Sequence, residues 1–117
     1  MQLITLALTG KGSWAKVYSL LNKEQFDSII LLTNTYGKER FQPNNKTKVL
    51  EIDNEQPIKA LKQALKVILK PEIKDIEVTI NIDSGTGKEH TALICALIEI
   101  GVGINFITVE NNEMIEL

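Results

Sequence analysis

Apolar runs of strand length recur along this chain and alternate with stretches whose apolar residues return at helical spacing. The runs are residues 2–8 (QLITLAL), 28–33 (SIILLT), 47–52 (TKVLEI), 76–82 (IEVTINI) and 103–109 (GINFITV). Runs this short and this apolar read as strands buried on both faces, as in a parallel sheet held between helices. Residues 14–22 (WAKVYSLLN) supply a first helix, with Trp14, Val17, Leu20 and Leu21 on one side. A second can be capped by Asp53 or Asn54, with Pro57 suited to its first turn. In that helix Ile58, Leu61, Leu65 and Ile68 form one stripe, Lys59, Lys62, Lys66 and Lys70 form a solvated face, and Pro71 ends it. Residues 87–100 form a third helix, apolar on more than one stripe. Residues 34–46 (NTYGKERFQPNNK) are expected to be a long polar connection with at most an irregular turn. Glu110-Asn111-Asn112-Glu113 reads as a tight turn, because asparagine tolerates left-handed backbone, and 114–117 as a short returning strand. The order β-α-β-β-α-β-α-β-β predicts one α/β domain over residues 1–117. It is Rossmann-like: a mostly parallel sheet, helices on both faces and a C-terminal antiparallel hairpin.

Composition narrows the function classes. With a net charge of -2, the chain lacks the overall basic character of a protein that coats duplex nucleic acid, so any anion site must be local. Cys95 is the single cysteine, which excludes an intrachain disulfide and fits a reducing, cytoplasmic setting. Met1-Gln2-Leu3-Ile4 enters a strand without a basic leader, and no apolar run reaches the roughly 18 residues of a membrane span. Neither a membrane partner nor a cofactor is expected. No His/Cys cluster offers a metal site.

The chemistry concentrates where Ile80-Asn81-Ile82-Asp83 runs into Ser84-Gly85-Thr86-Gly87-Lys88 and on into Glu89-His90-Thr91-Ala92-Leu93. A strand–turn–helix junction aims backbone N–H groups and the positive end of a helix dipole at one place, and Lys88 adds a full charge there. The turn is not a P-loop: Ile82 stands where the first glycine belongs and Glu89 where Ser or Thr should follow the lysine. An earlier turn, Thr9-Gly10-Lys11-Gly12-Ser13, carries a G-x-G with Ala15 at the third position, but Leu31-Leu32-Thr33-Asn34 offers no acidic ribose partner. A nicotinamide-dinucleotide site is therefore disfavoured. The predicted topology puts Lys11, then Lys38 and Arg40, then Lys88 on loops at one rim, the carboxyl edge of the parallel strands, which points to a polyanionic ligand. His90, the single histidine, lies one turn into the third helix, near the same mouth. The sheet covers only one side of that helix, so a homodimer is expected to cover the other.

The strand ending Asn81 to Lys88, its apolar helix, and the closing strand Gly103 to Val109 with its hairpin resemble CARF domains, the CRISPR-associated Rossmann fold. Topology is alike along the whole chain, the motif likeness covers only a small part of it, and the first turn, Thr9 to Ser13, sits where the family places its other ligand loop. Gly87 separates Thr86 from Lys88, so the Gly-Thr-Lys turn of that family is one residue longer here. The resemblance implies a two-fold dimer with a cyclic oligoadenylate, tetra- or hexa-adenylate, lying across its axis in type III CRISPR antiviral signalling. It also implies likeness to stand-alone members, some of which are metal-independent ring nucleases. In these, each 2′-OH attacks its adjacent phosphate and leaves a 2′,3′-cyclic phosphate end. Cast in those terms, Gly10, Lys11 and Gly12 cradle phosphates and Ser13 or Thr9 orients the 2′-OH. Lys88 neutralises developing charge, while Ser84, Gly85, Thr86 and Gly87 line the second loop and give further N–H donors. Tyr36, Lys38 and Arg40 hold outer phosphates or stack an adenine. Alternatives are a sensor or sponge that does not cut, a Rossmann-like nucleotide-binding subunit outside defence, and a non-enzymatic assembly subunit.

Overall fold

The computed structural model describes residues 1–8 and 14–117. Its sheet has six strands: β1 (Gln2–Ala7), β2 (Ser28–Thr33), β3 (Thr47–Glu51), β4 (Glu77–Asn81), β5 (Gly103–Glu110) and β6 (Glu113–Glu116). The spatial order is β3-β2-β1-β4-β5-β6. All neighbours are parallel except β5 and β6, whose register runs from Ile107↔Glu116 to Glu110↔Glu113. The predicted class, a mostly parallel α/β sheet closed by an antiparallel hairpin, is the architecture observed. Asn111 and Asn112, with φ of 51° and 64°, make the two-residue turn of that hairpin.

Among the described residues four α-helices flank the sheet: α1 (Trp14–Leu21), α2 (Thr35–Arg40), α3 (Ile58–Leu69) and α4 (Gly87–Ile100). Strand alternation sorts the core into two layers. Ile4, Leu6 and Leu8 join Ile30, Leu32, Val78 and Ile80 beneath Leu61, Leu65 and Leu69 of α3 and Ala92, Leu93, Ala96 and Leu97 of α4. Leu3 and Ala7 face the other way, with Ile29 and Leu31, against Val17, Leu20 and Leu21 of α1, Phe26 and Phe41. Each buried leucine contributes about 1.5–3 kcal/mol, so the central strand β1, buried along its whole length, anchors both layers.

Three sequence expectations need correction. The stretch 34–46 holds a helix, α2, because Asn34 caps it: its side chain accepts from the Gly37 N–H at 3.0 Å. The residue preceding α3 is Pro57, not Asp53 or Asn54; Asp53 instead closes a turn, accepting from Glu55 N–H at 3.1 Å. Pro71 does not stop α3 alone, since α3 ends at Leu69 and Pro71 sits inside a 3-10 turn over Lys70–Glu72, where its missing N–H costs little.

Candidate functional site

The strand order places a switch point at β1: the chain leaves it for β2 on one side and later returns to β4 on the other. Ligand crevices in open α/β sheets lie outside the carboxyl ends of strands at such a point. Here the carboxyl ends of β1, β2 and β4 are fastened together by side chains. Leu8 N–H donates to the buried Ser84 hydroxyl at 3.1 Å, tying the β4–α4 turn to the end of β1. Thr33 at the end of β2 donates to Ala7 carbonyl at 2.6 Å. Gly37 of α2 then packs onto Thr33 so closely that a side-chain carbon there would lie 1.8 Å from the Thr33 hydroxyl. Trp14 closes the same end, donating to Leu8 carbonyl at 2.9 Å and packing on Phe41 at 4.7 Å.

A buried polar network braces the second loop from behind. Asn81, fully buried, donates to Asp83 Oδ2 at 2.8 Å and to Ile107 carbonyl at 3.1 Å, and accepts from the Thr5 hydroxyl at 3.2 Å. Asp83 in turn accepts from the Thr108 hydroxyl at 2.7 Å and from Val109 N–H at 3.3 Å. The turn is thus pinned to both β1 and β5 before it enters α4. Gly85 carries φ of +99°, a left-handed conformation that glycine adopts without strain. His90 Nε2 lies 2.8 Å from Ser84 carbonyl, so the single histidine braces the turn from within α4. Thr86 is the residue before α4, and Gly87 and Lys88 open the helix with backbone N–H groups that have no intrahelical acceptor.

Among the described residues, three of the predicted cations, Lys38, Arg40 and Lys88, reach this edge from two elements, and each of the three already has a partner. Lys88 is half-buried and donates to Gln56 carbonyl at 3.0 Å. Lys38 lies 3.8 Å from Glu51. Arg40 holds its guanidinium carbon 3.2 Å from the centre of the Tyr36 ring, donates to Tyr36 carbonyl at 2.9 Å and lies 3.8 Å from Glu39. Tyr36 is 57% exposed and also faces Trp14 at 6.0 Å. Ser84, Gly85, Thr86 and Gly87 form the turn as expected. Thr9, Gly10, Lys11, Gly12 and Ser13, the other half of the predicted site, lie outside the described residues. Sequence reasoning placed Asn81, Asp83 and Glu89 in this stretch but gave none of them a role. An asparagine inside an isoleucine run, and the Thr86-x-x-Glu89 spacing of a capping box, were the signals that could have found them.

The apolar third helix of the sequence reading is α4, and its second side is covered in part by α3 of the same chain. Lys62 and Lys66 of α3 reach Glu99 of α4 at 2.6 and 3.4 Å. An outer stripe of Thr91, Ile94, Cys95 and Ile98 remains accessible in part, with Ile98 64% exposed. Among the described residues no helix is long and apolar enough to cross a membrane.

No family model and no curated protein matches this sequence. Among solved structures, the chain is similar to Enterococcus italicus Csm6 bound to cyclic hexa-2'-fluoro-hexa-dAMP, with a TM-score of 0.60 and 16% sequence identity. The match covers 95% of this chain and 34% of that chain, so this chain spans about a third of the Csm6 chain's length. At that identity the likeness is one of fold, and the shared fold is the mostly parallel, Rossmann-like α/β sheet expected from the sequence.

Proposed function

We propose that this chain binds a cyclic oligoadenylate at the carboxyl edge of its sheet, across the axis of a homodimer, in the cytoplasm, as part of type III CRISPR antiviral signalling. One observation carries the reading. The N-terminus of α4 opens beside the end of β1, held there by the Leu8–Ser84 hydrogen bond, on a fold shared with a Csm6 structure whose ligand is a cyclic hexanucleotide. The free N–H groups at Gly87 and Lys88 suit a phosphate. An incoming phosphate draws the Lys88 ammonium from the Gln56 carbonyl, exchanging a hydrogen bond to a neutral acceptor for one to a charged group, which is roughly twice as strong. Lys38, Arg40 and Tyr36 hold the outer part of the ring, and Gly10, Lys11 and Gly12 supply the opposite loop.

The same reading assigns metal-independent cleavage to the site. Ser13 or Thr9 aligns a 2′-OH with its phosphate, and Lys88 stabilises the charge that grows on the phosphorane oxygens, the two effects being orientation and electrostatic stabilisation. A second reading, binding without cutting, is favoured by the hydrogen bond that turns Lys88 toward Gln56. Incubation with labelled cyclic tetra- and hexa-adenylate in excess EDTA, beside Lys88→Ala, separates the two. Linear products with cyclic-phosphate ends, reduced at least about 100-fold in the variant, are expected for the nuclease. Intact rings that co-elute with the protein leave the sensor or sponge. Intact rings without binding overturn both.

A further inference from the structure

Charge is divided across this sheet. Residues 14–48, which build α1, β2, α2 and the start of β3, carry six Lys or Arg against three Asp or Glu. Residues 89–117, from α4 through β6, carry five Glu and no Lys or Arg. The strand order puts β3 at one end and β6 at the other, so the two edges of the sheet differ in sign. Among the described residues neither edge strand has a second neighbour. On β3, Ile29 N–H donates to Lys46 carbonyl and Ile52 N–H to Thr33 carbonyl, so even-numbered residues bond inward and Val49 turns its N–H and carbonyl outward. On β6, Leu117 N–H donates to Phe106 carbonyl, so Met114 and Glu116 turn theirs outward. Lys48 stands on the first edge with its side chain 59% exposed. Glu113 and Glu116 stand exposed on the second, without an ion pair among the described residues.

Charged side chains on an edge normally keep strands apart. Such a guard works only against an edge of the same sign. Two β6 strands would bring carboxylates onto one short ladder, and two β3 strands would bring lysines together, so both two-fold pairings are disfavoured. A β3 beside a β6 is unguarded. β3 runs parallel to the four inner strands and β6 runs against them, so a second copy set alongside in the same orientation meets β6 in the antiparallel sense. The helical layers of the two copies then continue one another. Placing Met114 opposite Val49 and Glu116 opposite Thr47 joins outward backbone groups along the full length of β6. Met114 and Val49 are both half-buried against the same core layer, so their pairing extends it. On the other face Lys48, which also holds Glu72, falls diagonally across from Glu113, within reach of a long side chain. Glu51, the acid of β3, is already held by Lys38 and Thr35, and in this register it lies opposite Asn112.

We propose that copies of this chain join head to tail, the acidic β6 edge of one pairing with the basic β3 edge of the next. The contact is heterologous and leaves one β3 and one β6 unused at the ends, so the series is open and grows with concentration. One short ladder buries far less than a stable interface does, so the series forms only at high concentration. It uses neither α4 nor the carboxyl edge of the sheet, and it does not depend on what that edge binds. Sedimentation of the full chain tests it, from about 5 to about 500 μM protein and in about 20 mM and about 500 mM salt. In low salt the average mass is expected to rise at least about twofold across that range, and in high salt the rise is expected to shrink. Met114→Pro and Val49→Pro each remove one outward N–H that the chain's own ladder does not use, and neither changes the charge. Either variant alone is expected to lose the rise. Mixed in equal amounts they are expected to regain part of it, because the intact β3 of one meets the intact β6 of the other. A contact between like edges would survive in one of the two variants, and that result overturns the inference. A mass that does not change with concentration, a rise that salt leaves untouched, or a mixture as inert as its parts overturns it as well. Glu113→Gln/Glu116→Gln keeps the backbone free of added proline and is expected to weaken the low-salt rise; an unchanged rise in that variant overturns the inference even where proline impairs folding.

Discussion

Gly37 is where close packing at the site edge is least forgiving. A methyl group there would meet the Thr33 hydroxyl at 1.8 Å and Thr33 Cβ at 3.1 Å, and that hydroxyl is already fixed by its bond to Ala7 carbonyl. Alanine is the better helix former by about 1 kcal/mol, so propensity alone favours Gly37→Ala. Overpacking costs about 1–3 kcal/mol and the displaced hydroxyl about 1 kcal/mol more. Net destabilisation of about 1–3 kcal/mol is therefore expected in denaturant unfolding. Thr33→Ala/Gly37→Ala removes the obstructing oxygen and is expected to cost less than the sum of the single changes, because the two residues share one space. A neutral Gly37→Ala would show that α2 is not seated on β2 in this way. The sequence displays Gly37 as an ordinary loop glycine; only the approach of β2 to α2 gives it a task.

At the scale of elements, α3 and α4 are packed along a leucine and alanine seam and clasped at the surface by Glu99. The Glu99 carboxyl is held below its ordinary value of 4.5, first by its hydrogen bond to Lys62 and further by Lys66, against the opposing effect of burial. A carboxyl whose folded value is depressed adds stability above its unfolded value and loses it as pH falls through the folded one. The clasp is exposed, so its worth is modest and screened by salt. Melting curves of the wild type and Glu99→Gln are expected to differ slightly at neutral pH in low salt and to converge as pH falls through the depressed folded value. A gap that persists at low pH would mean that Glu99 acts through packing instead. The helix α3 itself was plain in the sequence from its leucine spacing. Its start was not, because Asp53 and Asn54 both have the chemistry of a cap, and the actual boundary is Pro57, where φ is preset at -56°.

At the scale of the whole molecule, the outer stripe of α4 bears on assembly. Thr91, Ile94, Cys95 and Ile98 lie together on the side of α4 away from its buried Ala92, Leu93, Ala96 and Leu97. On the proposed function, a second copy covers that stripe and brings two carboxyl edges to one ring. Sedimentation of the wild-type chain at micromolar concentration is expected to give a dimer, and Ile98→Lys a monomer with unchanged melting in dilute solution. The same variant should weaken ring binding by more than about tenfold, since a ligand that spans the axis loses half its contacts. A wild-type monomer that still binds the ring would refute assembly through α4.

The sequence by itself determined the layers. Continuous apolar runs define the buried strands, helical spacing defines α1, α3 and α4, and Asn111-Asn112 defines the hairpin, because each of these signals is written within a few residues of itself. It also located the Ser84–Lys88 turn at a strand-to-helix junction. Tertiary structure decided the rest. Thr35–Arg40 becomes a helix only where Asn34 can cap it and Gly37 can meet Thr33. Lys38, Arg40 and Lys88 reach the expected edge, yet Glu51, Tyr36 and Gln56 carbonyl take them up on the way. Glu89, an ordinary first-turn residue in the sequence, is buried beneath the turn with one oxygen unpartnered among the described residues. Periodicity is a local property and survives in the sequence. A side chain's partner depends on which strands lie side by side, and that order, β3-β2-β1-β4-β5-β6, exists only once the chain has folded.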